Sequence, residues 1–402
     1  MDWKNVFILY VYCLVMFGHV CYVESQGYDD AQTLLTYLFT AYDKSIRPID
    51  KQTDAVNVTV DFNLLSVNDV NELSGALKTT GFLDVKWNDT SLNWTWNGDA
   101  NTLSFYHWPQ NEVWKPDLTL KNSFLNYKSL GDSSLLVENN YTGEMTWHPF
   151  QVFESTCSFD ITYFPFDIQN CDLIFTSWSY TKTQLNLQVG TNGLNLAYYE
   201  ANSDWDLKSV SWSSSEGADE TSVTFSIKIK RKPLYVLVTI VLPIIFLCIL
   251  DLFTFVLPCS SGEKIGYSMI VFLSFAIFLT IASTTLPQSS ESTAIMTIFV
   301  ILQTAASMVI VIVSVLLVRI NNFSKSTRIP CPIIATMRVL KCRVCNTKVD
   351  TSDSGSIDSD GEEVPFTWKD VADMIDIFCF LLFAGALALS TLICLNMASV
   401  GI

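Results

Sequence analysis

Two kinds of hydrophobic pattern divide the chain. Between Asn57 and Lys228 apolar and polar residues alternate in short runs, as in Val56-Asn57-Val58-Thr59-Val60-Asp61-Phe62 and the run Thr221–Lys230. A period of two, built from β-branched and aromatic residues, predicts half-buried antiparallel strands, and a series of them predicts an all-β sandwich. Ahead of the strands, Ala31, Leu34, Leu35, Leu38, Phe39 and Tyr42 recur at helical spacing, so Asp29–Tyr42 reads as a helix capping one end.

The second pattern is continuous. Leu234–Leu257, Ile265–Leu286, Ile295–Ile320 and Met374–Val400 are apolar runs, and each is long enough to cross a hydrocarbon core, which takes about 20 helical residues. They predict a four-helix transmembrane bundle. The first run contains Pro243 and Asp251, residues that a helix surrounded by lipid does not tolerate, so it packs against its neighbours. An earlier apolar stretch, Val6–Val23, follows Lys4 and reads as a secretory signal ending near residue 25.

The flanking charges orient these segments. Arg319, Lys325, Arg328, Arg338, Lys341, Arg343 and Lys348 crowd one linker and mark it as cytoplasmic, whereas the loop Pro287–Ala294 holds only Glu291. The expected organisation is therefore a signal peptide (1–25), an extracellular sandwich (26–232), three membrane helices (233–320, the second at 264–286), a partly disordered cytoplasmic loop (321–368) and a fourth helix (369–402). That topology belongs to a multi-pass plasma-membrane protein with its N-terminal domain and C-terminus outside.

Composition narrows the function. With 50% hydrophobic residues and a net charge of −16, the chain is neither a plain soluble globule nor a nucleic-acid binder, which needs a basic face. Of its eleven cysteines, only Cys157 and Cys171 lie in the long polar region, and one isolated pair in an exported domain reads as a disulfide. Sequons at Asn57, Asn88, Asn93 and Asn140 fit a secreted surface. In the cytoplasmic loop, Cys331, Cys342 and Cys345 have no histidine near them and read as reduced or lipidated thiols rather than a metal site, and Ser354, Ser356 and Ser359 are candidate phosphosites. No nucleophile–base arrangement stands out, and neither an enzyme activity nor a cofactor is expected.

Several motifs resemble one family. Cys157 and Cys171 bracket thirteen residues that include Phe164-Pro165-Phe166-Asp167, and this segment resembles the signature loop of Cys-loop receptors. Trp87-x-Asp89-x-x-Leu92-x-Trp94, Trp114-Lys115-Pro116-Asp117, Trp178-Ser179-Tyr180, Gly262-Glu263-Lys264 and Trp368-Lys369-x-x-Ala372-x-x-x-Asp376 also resemble family motifs. The likeness is closest to nicotinic acetylcholine receptors. It implies a pentamer of identical or homologous subunits, embedded in lipid and opened by a small-molecule agonist, with the apolar Phe-Pro-Phe turn pressing on the membrane helices.

The resemblance also implies roles for individual residues. The face of the second membrane helix carrying Glu263, Gly266, Ile270, Leu273, Ile277, Ile281 (or Thr280) and Thr284 would line the pore. Leu273 would form a hydrophobic girdle and Glu263 a ring of carboxylates favouring cations. Gly266 and Ile270 depart from the hydroxylic residues usual in nicotinic pores, and Thr284 from a frequent outer acidic ring. At the ligand site, Trp178 and Tyr180 would lie on the principal face, and Phe82, Thr146 and His148 on the complementary face of the neighbouring subunit. Lys121 replaces an expected tyrosine, Glu220 sits near another, Trp212 lies in a segment without vicinal cysteines, and serines surround it. A quaternary ammonium is held by ring quadrupoles, and this box has lost rings and gained an ammonium. Two readings stay open: a subunit that lends only its complementary face, or a roomy apolar pocket for a different ligand, as in the cephalopod chemotactile receptors that the chain resembles.

Overall fold

The computed structural model describes residues 28–94, 104–285, 293–323, 330 and 367–400. The expected signal segment, Glu291, the cysteines and serines of the cytoplasmic loop and most of its basic residues lie outside them.

Helix α1 (Tyr28–Phe39) precedes eleven strands: β1 (Val56–Asn71), β2 (Ala76–Asn88), β3 (Phe105–Pro109), β4 (Leu118–Leu120), β5 (Leu136–Asn140), β6 (Glu144–Trp147), β7 (Phe150–Thr156), β8 (Ile168–Ser177), β9 (Leu185–Asn195), β10 (Trp205–Glu216) and β11 (Thr221–Arg231). One sheet runs β3-β5-β6-β2-β1-β9, with β7 also paired to β2, and the other runs β10-β11-β8-β4. Their inner faces form the core. Alternation in β11 buries Val223, Phe225, Ile227 and Ile229 completely, and Phe62 of the first sheet meets Phe153, Phe175 and Phe225 at centroid distances of 5.6, 6.2 and 5.7 Å. Tilted and edge-on contacts of this kind add to the burial of about 150–250 Å² per ring.

Strand β9 pairs with β1 in parallel but not evenly. Val60 faces Val189 and Phe62 faces Leu194, so residues 190–193 bulge over Asp61. Gly193, at φ +59°, donates its N–H to Asp61 Oδ1 at 2.6 Å, and a side chain at Gly190 would meet the same carboxylate. Burial raises the Asp61 carboxyl above its usual range, partly offset by these backbone donors.

Among the described residues, four further helices are long and apolar enough to cross a membrane. Helix α2 (Leu234–Phe253) contains a π turn at Leu237–Val241 just ahead of Pro243, where the missing proline N–H disturbs the ladder. It stops short of the expected Leu257, because Pro258 disfavours the helical conformation in the residue before it. Gly262, at φ +75°, leads into α3 (Lys264–Thr285), followed by α4 (Ile295–Asn321) and α5 (Trp368–Val400). Helix α5 begins six residues earlier than its apolar run. Thr367 and Asp370 cap each other there: the Thr367 N–H and hydroxyl donate to Asp370 Oδ2 at 2.8 and 2.6 Å, and Thr367 Oγ1 accepts from the Asp370 N–H.

Sandwich and bundle meet at the disulfide loop. Cys157 and Cys171 are bonded, with Cα atoms 5.3 Å apart. The loop's Phe164 is buried with Ile240, Ile244, Val271, Phe275 and Met296 of the helices, and Ile295 N–H at the start of α4 donates to Thr162 O at 3.1 Å. Arg231, the last residue of β11, donates to Asp167 of the same loop at 2.8 Å, pairs with Glu72 of the β1–β2 turn, and lies 4.2 Å from the Trp205 ring centroid and 4.9 Å from that of Phe164. Burial alone would lower the Arg231 pKa; the hydrogen bond and charge of Asp167, with the charge of Glu72, raise it instead.

Thermal unfolding of the purified full-length chain tests this hierarchy. Phe62→Ala is expected to destabilise by about 3–5 kcal/mol, and Cys157→Ser by about 3 kcal/mol from the lost loop constraint. An unchanged midpoint for Phe62→Ala would contradict a core centred on the four phenylalanines.

Candidate functional site

Two clusters of polar and aromatic side chains occupy the outer faces of opposite sheets. The first lies at the rim of the β10-β11-β8-β4 sheet. Trp178 directly follows β8, is 65% exposed, and carries the ring of Tyr127 at 4.3 Å and 40°. Tyr127 arrives from the loop after β4, where its hydroxyl donates to Lys121 O at 3.4 Å. The Lys121 ammonium forms an ion pair with Glu220 in the turn between β10 and β11. That turn is closed by Gly217 N–H on Glu220 O at 2.8 Å and tied to the strand-connecting loop by Lys182 N–H on Asp219 O at 2.9 Å. Asp117 anchors the floor, accepting from Ser177 Oγ and from the Ser179 N–H at 2.6 Å.

Two residues expected at this face lie elsewhere. Tyr180 turns inward, its ring against Trp114 at 6.3 Å and its hydroxyl accepting from Trp114 Nε1 at 3.5 Å. Trp212 pairs with Phe225 and covers Gly193 of the first sheet, where any Cβ would strike its ring, while remaining 46% exposed. Tyr127, by contrast, did not emerge from the sequence: its loop lies across the sheet rim from Trp178, and only its place six residues past Lys121 hinted at it.

The second cluster lies on the first sheet. Alternation along β2 sends Leu83, Val85 and Trp87 into the core and leaves Phe82, Asp84 and Lys86 outside. Phe82 meets the His148 ring edge-on at 5.9 Å and the Tyr198 ring at 6.2 Å. His148 Nδ1 and Lys86 Nζ each stand 3.8 Å from an Asp84 oxygen, and Thr146 pairs with Lys86 across β6. The structure thus brings Phe82, Thr146 and His148 together and adds Tyr198. Within one chain the two clusters are separated by the thickness of the sandwich.

Along α3, Ile270, Leu273, Ile277 and Ile281 are 54–66% exposed, and Glu263, Gly266, Thr280 and Thr284 share their exposed side. The opposite stripe of Lys264, Ser268, Val271, Phe275 and Ala282 is buried. Lys264 is fully buried in an ion pair with Asp376 of α5, so of the adjacent pair Glu263–Lys264 only the carboxylate faces outward. Among the sequons, Asn57, Asn88 and Asn93 are exposed, while Asn140 is half-buried with its Oδ1 sealed.

A two-sheet sandwich closed by one disulfide loop and seated on four membrane-length helices defines a Cys-loop receptor subunit. The chain belongs to the neurotransmitter-gated ion-channel family: residues 31–233 match the neurotransmitter-gated ion-channel ligand binding domain. It is similar to neuronal acetylcholine receptor subunit alpha-3 of Bos taurus, with 31% identity over 65% of this chain and 54% of the relative. Acetylcholine receptor subunit beta-like 1 of Drosophila melanogaster gives 31% over 73% of this chain and 57% of the relative. Neuronal acetylcholine receptor subunit alpha-6 of Mus musculus gives 30% over 69% and 57%. These relatives are named as receptors, not enzymes, and the chain spans about half their length. The ligand-binding domain and four membrane helices fit a plasma-membrane receptor.

The Lys121–Glu220 pair is more than 40% exposed on both sides, which limits its worth to about 0.2–1 kcal/mol. Its effect is local: it fastens the turn at 217–220. Lys121→Ala and Glu220→Ala are each expected to speed amide hydrogen exchange in that turn several-fold, with no further gain in the double variant; additive effects would mean that the two charges act separately.

Proposed function

We propose that the chain is a subunit of a pentameric ligand-gated cation channel, opened by an extracellular hydrophobic small molecule of chemosensory type rather than by acetylcholine. The observation that carries the ligand class is the Lys121–Glu220 ion pair beside the Trp178–Tyr127 stack. An ammonium held at the rim disfavours a cationic agonist, and its pairing with Glu220 occupies the carboxylate that could otherwise attract one. What remains is aromatic surface with small hydroxyls, which suits a neutral ligand because apolar contacts dominate small-molecule pockets. Since the Trp178 and Phe82 clusters occupy opposite outer faces, a complete site requires two neighbouring subunits, one lending each face.

Cation selectivity is supported by the charge arrangement at the mouth of α3. Lys264 is neutralised by Asp376, and Glu263 is exposed; five such carboxylates in a ring attract cations by direct Coulomb interaction. The side of α3 bearing Gly266, Ile270, Leu273, Ile277, Ile281 and Thr284 then faces the pore, with Leu273 as its hydrophobic girdle. In this reading the chain's C-terminus is extracellular and exposed sequons carry glycans. A second reading, an acetylcholine-gated subunit working in heteromers, draws support from the relatives' names.

Expression of the chain alone in oocytes distinguishes them. The proposed reading expects currents with neutral hydrophobic compounds and none with acetylcholine, and Trp178→Ala should shift the agonist response at least tenfold. Acetylcholine-evoked currents from the homomer would overturn the ligand class. Reversal potentials should follow sodium, and Glu263→Ala should weaken that dependence; currents that follow chloride would refute cation selectivity.

A further inference from the structure

One carboxylate inside the membrane bundle belongs neither to the ligand faces nor to the exposed side of α3. Asp251, near the end of α2, is 4% exposed, and its Oδ1 is sealed with no hydrogen-bond partner. Ser307 of α4 turns its sealed hydroxyl toward this carboxylate, a neutral donor that leaves the charge uncancelled. Among the described residues no Lys, Arg or His forms an ion pair with Asp251. Lys264 is taken by Asp376, and Arg319 follows Ser307 by twelve residues, about 18 Å along a helix. An uncompensated carboxylate in such surroundings costs several kcal/mol.

Beside the carboxylate lies a cavity of about 160 Å³, lined by Asp251, Cys248, Gln303 and Ser390 with Phe275 and Phe383 among its apolar walls. Gln303 is pinned across it: its Oε1 accepts from Cys248 Sγ at 3.5 Å, and its Nε2 donates to Ser390 Oγ at 2.9 Å. A carbonyl oxygen has two lone pairs, so Gln303 Oε1 keeps acceptor capacity. The space admits several waters or a partly hydrated ion.

We propose that this cavity binds a small monovalent cation of the sodium type, held by the Asp251 carboxylate, the Gln303 carbonyl oxygen and water. One carboxylate balances one positive charge; a calcium site recruits more carboxylates. Transition metals prefer imidazole and thiolate, and no group of three His, Cys, Asp or Glu residues suits a metal ion among the described residues. A bound proton would also neutralise Asp251 but needs no space, whereas the cavity beside the carboxylate has room for an ion and its water. The site joins α2, α4 and α5 and touches the back of α3 through Phe275, so its occupant braces the helix whose other side is exposed.

The test is thermal unfolding of the purified full-length assembly in lipid nanodiscs, replacing choline chloride by sodium chloride at constant ionic strength. The wild type should gain about 2–4 °C along a saturable curve. Asp251→Asn should remove that gain, Gln303→Met should weaken the apparent sodium affinity several-fold, and Glu144→Gln, at an exposed carboxylate of the sandwich, should keep the full response. If Asp251→Asn does not fold, the Gln303→Met and Glu144→Gln pair decides the matter. A wild type indifferent to sodium, an equal gain in Asp251→Asn, loss of the response in Glu144→Gln, or a response that follows pH and not sodium would each overturn the proposal. None of these readouts depends on which agonist opens the channel.

Discussion

Arg231 is taken out of water at the one place where sandwich and helices must agree. Burying a guanidinium costs several kcal/mol unless its partners are in place, and here they come from separate segments: Asp167 from the disulfide loop, Glu72 from the β1–β2 turn, and the rings of Trp205 and Phe164. Phe164 is shared, since it also sits in the apolar cluster of the membrane helices. A shift of the β1–β2 turn or of the disulfide loop would therefore expose or strand the charge unless β11 and α2, which begins three residues after Arg231, moved as well. Separating the two parts would leave a largely buried ion without its pair.

Much of this fold is legible in the chain because it depends on local periodicity. Alternation in β2 and β11 fixes which side chains face the core, and the four apolar runs mark the helices to within a few residues. The exceptions have specific causes: Pro258 shortens α2, and the mutual cap of Thr367 and Asp370 lengthens α5. The candidate site is less legible because its geometry comes from contacts distant in sequence. Lys121 and Glu220 stand 99 residues apart, and nothing in either neighbourhood signals the other. Trp212, half exposed, covers Gly193 of the opposite sheet, a contact that nothing in its own neighbourhood signals. Tyr127 looks like a loop residue until its loop reaches Trp178.

At the lysines described above, charge placement follows one rule. Lysines that approach functional surfaces are paired: Lys121 with Glu220 at the sheet rim, Lys264 with Asp376 under α3. Pairing Lys264 removes a cation from the helix mouth and leaves Glu263 as the outward charge there. Asp84, between His148 and Lys86, is likewise compensated. Asp251 breaks the rule, since no cationic side chain pairs with it among the described residues. A bundle that neutralises Lys264 so thoroughly has every physical reason to neutralise Asp251 too.

The same rule bears on ligand recognition. A site selective for a cationic agonist gains from unpaired π faces and suffers from any nearby ammonium. Here Trp178 presents one face to Tyr127 already, so an entering ligand either displaces that ring or stacks outside it. Displacement forfeits a ring contact of about 0.5–1.5 kcal/mol, which a flat apolar molecule recovers by occupying the same space and burying more area, at roughly 25 cal/mol per Å². A small quaternary ammonium recovers less area and meets the Lys121 charge as well. Under the proposed reading this balance favours size and apolarity over charge, and it turns on two side chains, Tyr127 and Lys121, that share one loop.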